Sequence, residues 1–362
     1  MRLFLSRTLT LAVVVGFTAG FSGCANLAYY TQAVGGQMEL LRRAQPISTI
    51  TEDPNADPSL KRTLAKVVEL RVFASRELQL PDNQSYISYA DLKRPFVVWN
   101  VFAAAEFSTE PKQWCFVGVG CVSYRGFFSK ADAESFAQEL RREGYDVSVG
   151  GVPAYSTLGW FDDPVLNTFV GYSETELARL IFHELAHQVV YVRDDSAFNE
   201  SFATAVELEG VGRWLERNGT AAQRAALDAT QQRKTAFTEI VLNTRRRLEA
   251  LYASGKNDTA KHAAKARLFA ELRAELTRLQ IAQGGASRSD RWHALLLNNA
   301  HLASIATYTQ LVPAFQALLA QQHGDLGRFY AAIKEMSKLS EAERAPMLRS
   351  VVEGARKDAD AT

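Results

Sequence analysis

His183 and His187 stand four residues apart in the run Ile181-Phe182-His183-Glu184-Leu185-Ala186-His187-Gln188. On a helix, residues at that spacing share a face, so both imidazoles can reach one point in space. The surrounding pattern predicts that helix. Leu177, Leu180, Ile181, Leu185 and Val189 recur at helical spacing as a core-facing stripe. Ser173-Glu174-Thr175-Glu176 opens it as a capping box, and the helix is expected to run to about Tyr191. Two such imidazoles make half of a divalent-metal site. Glu184 lies about 100° around the helix from His183, which puts it beside a metal and not on it. From there it can take a proton from a water that attacks a carbonyl. The competing reading is a buried helix whose histidines are only hydrogen-bonded.

A catalytic zinc usually keeps three protein ligands and one open position. The third is sought downstream, where Phe198-Asn199-Glu200-Ser201-Phe202-Ala203 begins a second helix that runs from about Ser196 to Asn218-Gly219. A turn through Arg193-Asp194-Asp195 brings that helix back antiparallel to the first, so Glu200 faces the histidines. Glu207 is the rival ligand, about 10 Å further along the axis. Thr204 and Glu207 are otherwise candidates to orient a histidine N–H.

Around this pair of helices the chain changes character. Residues 59–172 read as strand-rich. A helix from Ser59 to Leu80 is followed by β-branched and aromatic runs at Phe96–Phe102, Trp114–Tyr124, Tyr145–Val149 and Val152–Leu158. A helix from Ser129 to Glu143 interrupts them. Residues 173–355 read as nearly all helix, including a charged hairpin over 221–281 and helices at about 290–322, 324–337 and 340–355. Strands first and helices second is an α+β order. The Lys+Arg and Asp+Glu counts, 41 and 40, nearly cancel, and no basic stripe stands out, so no nucleic-acid partner is expected.

The N-terminus points outward. Arg2 and Arg7 precede an apolar run from Leu9 to Phe21 that ends in Ser22-Gly23-Cys24, the layout of a secretory signal. The run is shorter than the roughly 20 residues of a membrane span. Phe-Ser-Gly-Cys resembles a bacterial lipobox, so residues 1–23 are expected to be removed and Cys24 to carry a lipid. Ala25 after the cysteine favours the outer membrane. Residues 24–58, broken by Gly35-Gly36, Pro46, Pro54 and Pro58, are expected to form an anchor-proximal linker. In an oxidising envelope, Cys115 and Cys121 are either a disulfide that closes a small loop or two buried thiols.

His-Glu-Leu-Ala-His on one helix, followed by Phe-Asn-Glu-Ser-Phe-Ala on the next, resembles the gluzincin metallopeptidases. The likeness is greatest to a bacterial envelope family of predicted aminopeptidases. Trp114-Cys115 through Tyr124-Arg125-Gly126-Phe127-Phe128, Ala154-Tyr155-Ser156-Thr157-Leu158-Gly159 and Asn298-Asn299-Ala300 are similar to that family too, so the likeness spans most of the chain. It implies a zincin-like fold and a zinc peptidase, with His183, His187 and Glu200 as ligands and Glu184 as base. The Gly-x-Met-Glu-Asn segment that holds a substrate amine in well-known zinc aminopeptidases is absent. Asp162 and Asp163 are alternatives for that role, or plain turn residues before Pro164.

Several expectations follow for the site. Tyr155–Gly159 is either an edge strand that pairs with substrate backbone or an ordinary strand. An oxyanion donor is sought first at Tyr308, then at Tyr155, then at His293 and His301. The His/His/carboxylate set favours zinc in a hydrolase. An endopeptidase with the same site is the nearest alternative function. From another class, the chain could be a lipoprotein scaffold that binds an unknown partner through the 221–281 hairpin.

Overall fold

Most helices begin where a short polar side chain can satisfy their free N–H groups, and those caps set the element boundaries. The computed structural model describes residues 29–116, 120–283 and 297–360. The expectations for Cys24 and His293 lie outside the described residues. In order, the elements are α1 (29–43), β1 (Gln45–Pro46), α2 (Ile47–Glu52), α3 (Pro58–Glu77), β2 (Ser88–Ala90), β3 (Val98–Ala104), β4 (Trp114–Phe116), β5 (Gly120–Val122) and β6 (Arg125–Phe127). They continue with α4 (Lys130–Arg142), β7 (Asp146–Val152), β8 (Val165–Leu166), α5 (Glu174–Ala186), α6 (Ser196–Asn218), α7 (Ala221–Tyr252) and α8 (Asp258–Ala282). The last four are α9 (Asn299–Thr309), α10 (Val312–Gln321), α11 (Leu326–Met336) and α12 (Glu341–Asp360). The fold is α+β.

The strands form three small sheets. β3 is central in the antiparallel order β6-β3-β7 and is buried at every position. α4 covers the side that carries Trp99, Val101 and Ala103, and α9 also packs against β3 and β7. A second sheet has the order β1-β2-β8, and β4 and β5 form a hairpin closed by the disulfide Cys115–Cys121. The largest core runs from Leu40 in α1 through α3, α5 and α6 to Leu348 in α12, so it crosses residue 172 without a seam. α7 and α8 lie side by side and share a second core with Leu302 of α9.

Three expectations are corrected here. Gly35-Gly36 does not break the chain, and residues 29–43 are helical through it. A Cβ at Gly36 would sit 2.1 Å from the Phe128 ring, so the glycine permits a close crossing instead of marking a linker. Residues 153–159 are irregular and form no edge strand. There the Thr157 N–H donates to Asp163 Oδ2 (2.9 Å) and the Leu158 N–H to Ser156 Oγ (3.0 Å), while Leu158 and Gly159 both have φ > 0. Local side-chain acceptors replace the ladder. The helix expected over 290–322 is broken at Gln310-Leu311, with Pro313 in the first turn of α10.

Close approach of α5 and α6 depends on one residue without a side chain. A Cβ at Gly210 in α6 would lie 2.8 Å from the Phe182 ring of α5 and 2.7 Å from Leu78. Gly210→Val is therefore expected to cost about 1–3 kcal/mol by overpacking. A lowered urea-unfolding midpoint checks this, and an unchanged midpoint would mean that the two helices do not meet so closely.

Candidate metal centre

Ser173 caps α5, accepting from the Glu176 N–H while the Glu176 carboxylate accepts from the Ser173 N–H. The helix ends at Ala186, short of Tyr191. His187 nevertheless keeps helical dihedrals (φ −59°, ψ −22°), and its ring stays on the face of His183 with 4.9 Å between ring centroids.

The turn to α6 is held at several points. Asn199 clamps Val192, accepting its N–H at 2.8 Å and donating to its carbonyl at 2.7 Å. Asp195 caps α6 through the Phe198 N–H (2.9 Å) and pairs with the buried Arg344 (2.6 Å). From outside, the disulfide hairpin braces the same turn. The Cys121 N–H donates to Asp194 Oδ1 (2.6 Å), and the Ser123 N–H to Ser196 Oγ (3.2 Å). Asp194 itself sits at φ +66°.

This turn brings the first two turns of α6 onto the histidines. Glu200 Oε2 lies 3.3 Å from His183 Nε2 and 3.6 Å from His187 Nε2. Ligand atoms of His183, His187 and Glu200 all lie within 4.8 Å of one another, the only group of this kind among the described residues. Glu207 lies two helical turns further along, where His183 Nδ1 meets its Oε2 at 3.1 Å and Arg179 pairs with its Oε1. It therefore faces the nitrogen that Glu200 does not. With Nδ1 donating to Glu207, Nε2 of His183 is left as a lone-pair donor aimed at Glu200. Thr204 is half-buried, and among the described residues it makes no hydrogen bond to either histidine.

The residues fit a metal. His187 Nδ1 is buried without a hydrogen-bond partner, while its Nε2 faces Glu200. Burial pulls the His183 pKa down, but its hydrogen bonds to Glu200 and Glu207 outweigh it and hold it at about 10. For Glu200, burial raises the pKa, and the charge of His187 with the hydrogen bond from His183 brings it down to about 2. Glu207 is pushed up by burial and drawn to about 2 by His183 and Arg179. The pocket thus holds two carboxylates kept ionised beside the imidazoles. Burial raises the Glu184 pKa, against the pull of His183 and His187.

Two phenols stand at the edge of this charge cluster. Tyr308 is carried by α9, and in the link that follows it the Leu311 N–H donates to Ser201 Oγ of α6 (3.3 Å). Burial first, then the charges of Glu200 and Glu184, push its pKa well up. Tyr124 shows the same dependence on Glu200 and Glu184, and Tyr308 in turn feels Tyr124. Sequence reasoning passed over Tyr124, although it lies in the Trp114–Phe128 stretch where the family likeness was noted. Its placement depends on the Ser123–Ser196 contact, which no local pattern shows.

The other candidates lie elsewhere. The Tyr155 hydroxyl donates to Gln37 Oε1 on α1. His301 packs against its own helix cap, Asn298 Oδ1, at 2.8 Å, with its pKa lowered by burial to about 4. Asn298 and Asn299 join α9 to the sheet. The Asn299 N–H donates to Asp146 Oδ2 (2.9 Å), and its side chain donates to the Ala105 and Glu106 carbonyls.

Compared with known proteins, residues 28–348 match the family described as Putative aminopeptidase. No curated protein and no solved structure gives a significant match.

A ligating imidazole must be neutral, whereas His183 without a metal is protonated at pH 7. Zinc binding at pH 7 is therefore expected to release about one proton and to weaken as pH falls. Titration calorimetry in buffers of different ionisation enthalpy counts that proton. Tight binding with no release would place the metal elsewhere.

Proposed function

The chain belongs to the Putative aminopeptidase family, and from that membership together with the site geometry we propose that it is a zinc-dependent, zincin-like peptidase, acting as an aminopeptidase in the bacterial envelope. One observation carries the proposal: His183 Nε2, His187 Nε2 and Glu200 Oε2 converge from α5 and α6 while Glu184 stands free beside them. Two imidazoles and a carboxylate suit zinc. An ion held there supplies a Lewis acid that polarises a peptide carbonyl and acidifies a water.

The chain's own residues supply the rest. Glu184 takes the proton of the attacking water and passes it to the leaving amine; a carboxyl with a raised pKa is suited to both steps. Glu207 holds the His183 ring through Nδ1, and Arg179 holds Glu207. The hydroxyls of Tyr308 and Tyr124 are donors for the negative charge that develops on the carbonyl oxygen. The Cys115–Cys121 disulfide, the signal-like N-terminus and Cys24 support lipid anchoring on the periplasmic side of the outer membrane.

Glu184→Gln is expected to lower kcat for peptide hydrolysis by about 10²–10⁴-fold while the zinc content stays at the wild-type level. A variant that holds zinc and keeps wild-type turnover would remove Glu184 from the mechanism and favour a non-catalytic metal.

A further inference from the structure

Asp163 is a buried carboxylate with nothing positive opposite it. Its side chain accepts the Thr157 N–H at 2.9 Å and a further hydrogen bond from the Thr157 side chain, and the charged groups that act on it, Glu184 and Asp162, are both of its own sign, so that burial raises its pKa to about 7. Among the described residues no lysine, arginine or histidine lies within ion-pair distance. Arg71, a buried cation in the same region, donates to the carbonyls of Ser85, Pro81 and Asn83. A buried carboxyl at that pKa is held between its neutral and ionised forms, and a cation brought against it favours the ionised one.

A second orphan lies alongside. Tyr86 is 1% exposed, and its hydroxyl has no hydrogen-bond partner. Its backbone is in the left-handed region at φ +64°, rare for a bulky residue, and the Tyr86 N–H donates to the Asp163 carbonyl at 2.6 Å. The chain keeps a costly conformation here and leaves the Tyr86 hydroxyl without a hydrogen-bond partner and Asp163 without a cation. Tyr86 lies in the field of Asp163 and Glu184 together.

Their position relative to the metal centre follows from Gln188, one turn after Glu184. Its side chain meets Asn83 Nδ2 at 2.6 Å and Ser85 Oγ at 3.3 Å, and Gly159 lies against it. The 83–86 segment and the 155–163 loop therefore wall the flank of α5 that carries Glu184. They are the segments from which Asp163 and Tyr86 project.

We propose that Asp163, together with the Tyr86 hydroxyl, binds the protonated α-amine of a substrate whose first peptide bond lies over the metal centre. An ammonium has three donors and one charge, which match a carboxylate without a cation and a phenol without a partner. The assignment rests on the peptidase reading and gives it exo-specificity. It also replaces the missing Gly-x-Met-Glu-Asn segment with an acid from a different part of the chain.

The test is equilibrium binding by the zinc-loaded protein and its Asp163→Asn variant, with leucinamide and N-acetyl-leucinamide as probes. Wild type is expected to bind leucinamide at least tenfold tighter than the acetylated form, and Asp163→Asn to erase the difference. Tyr86→Phe, which keeps the ring in the core, should narrow it several-fold and stands in if Asp163→Asn does not fold. N-acetyl-lysinamide, whose ammonium is on the side chain, should bind no better than N-acetyl-leucinamide. Equal binding of free and acetylated amide by wild type, or undiminished discrimination in Asp163→Asn, would overturn the amine site. Peptide assays separate that failure from the failure of the peptidase reading. Equal hydrolysis of free and acetylated peptides by wild type, lost in Glu184→Gln, leaves a peptidase without an amine site. Discrimination that depends on Asp163, with no hydrolysis, leaves an amine site without a peptidase.

Discussion

Glu200 and Glu207 project from one helix into a space with almost no water, each about 7% exposed. Two buried carboxylates would drive α5 and α6 apart unless positive charge met them on the facing helix. His183, His187 and Arg179 provide it, and much of the local architecture keeps them in register. Gly210 lets the helices approach, Asn199 fixes the turn between them, and Arg344 secures the α6 cap. The disulfide hairpin then presses on that turn through Asp194 and Ser196. The same electrostatic need explains why the site suits a metal. A divalent cation answers the two carboxylates more fully than one extra proton on His183 does.

How much of this could be read from the sequence depends on the range of each interaction. The capping box at Ser173, the apolar stripe of α5 and the four-residue histidine spacing are local, and the structure has all of them. Glu200 was singled out because a tight turn leaves α6 little choice but to return along α5. Glu207 stayed ambiguous between ligand and orienter, since a sequence shows neither which imidazole nitrogen is engaged nor that Arg179 fixes the carboxylate. The Gly35-Gly36 pair misled for a similar reason. A helical glycine that lets a ring 92 positions away pass closely is indistinguishable, locally, from a breaker.

The edge-strand expectation at Tyr155–Gly159 failed in an informative way. The residues have strand propensity, but Asp163 captures the Thr157 N–H and turns the segment into a folded loop. Propensity lost to a side-chain acceptor six residues away. That acceptor is also the buried carboxyl whose pKa burial raises to about 7. Tyr124 was missed for the complementary reason: its neighbours Ser123 and Ser196 are 73 residues apart. Strands and loops around this centre are thus placed by long-range polar contacts, whereas its helices are placed by local pattern.

The central claim is that His183, His187 and Glu200 hold one divalent metal between α5 and α6. Anomalous diffraction from crystals of the purified protein, collected on both sides of the zinc absorption edge, tests it most directly. The account predicts a single strong peak bounded by the Nε2 atoms of His183 and His187 and the carboxylate of Glu200. A zinc-supplemented crystal with those three side chains ordered and no peak between them would contradict it.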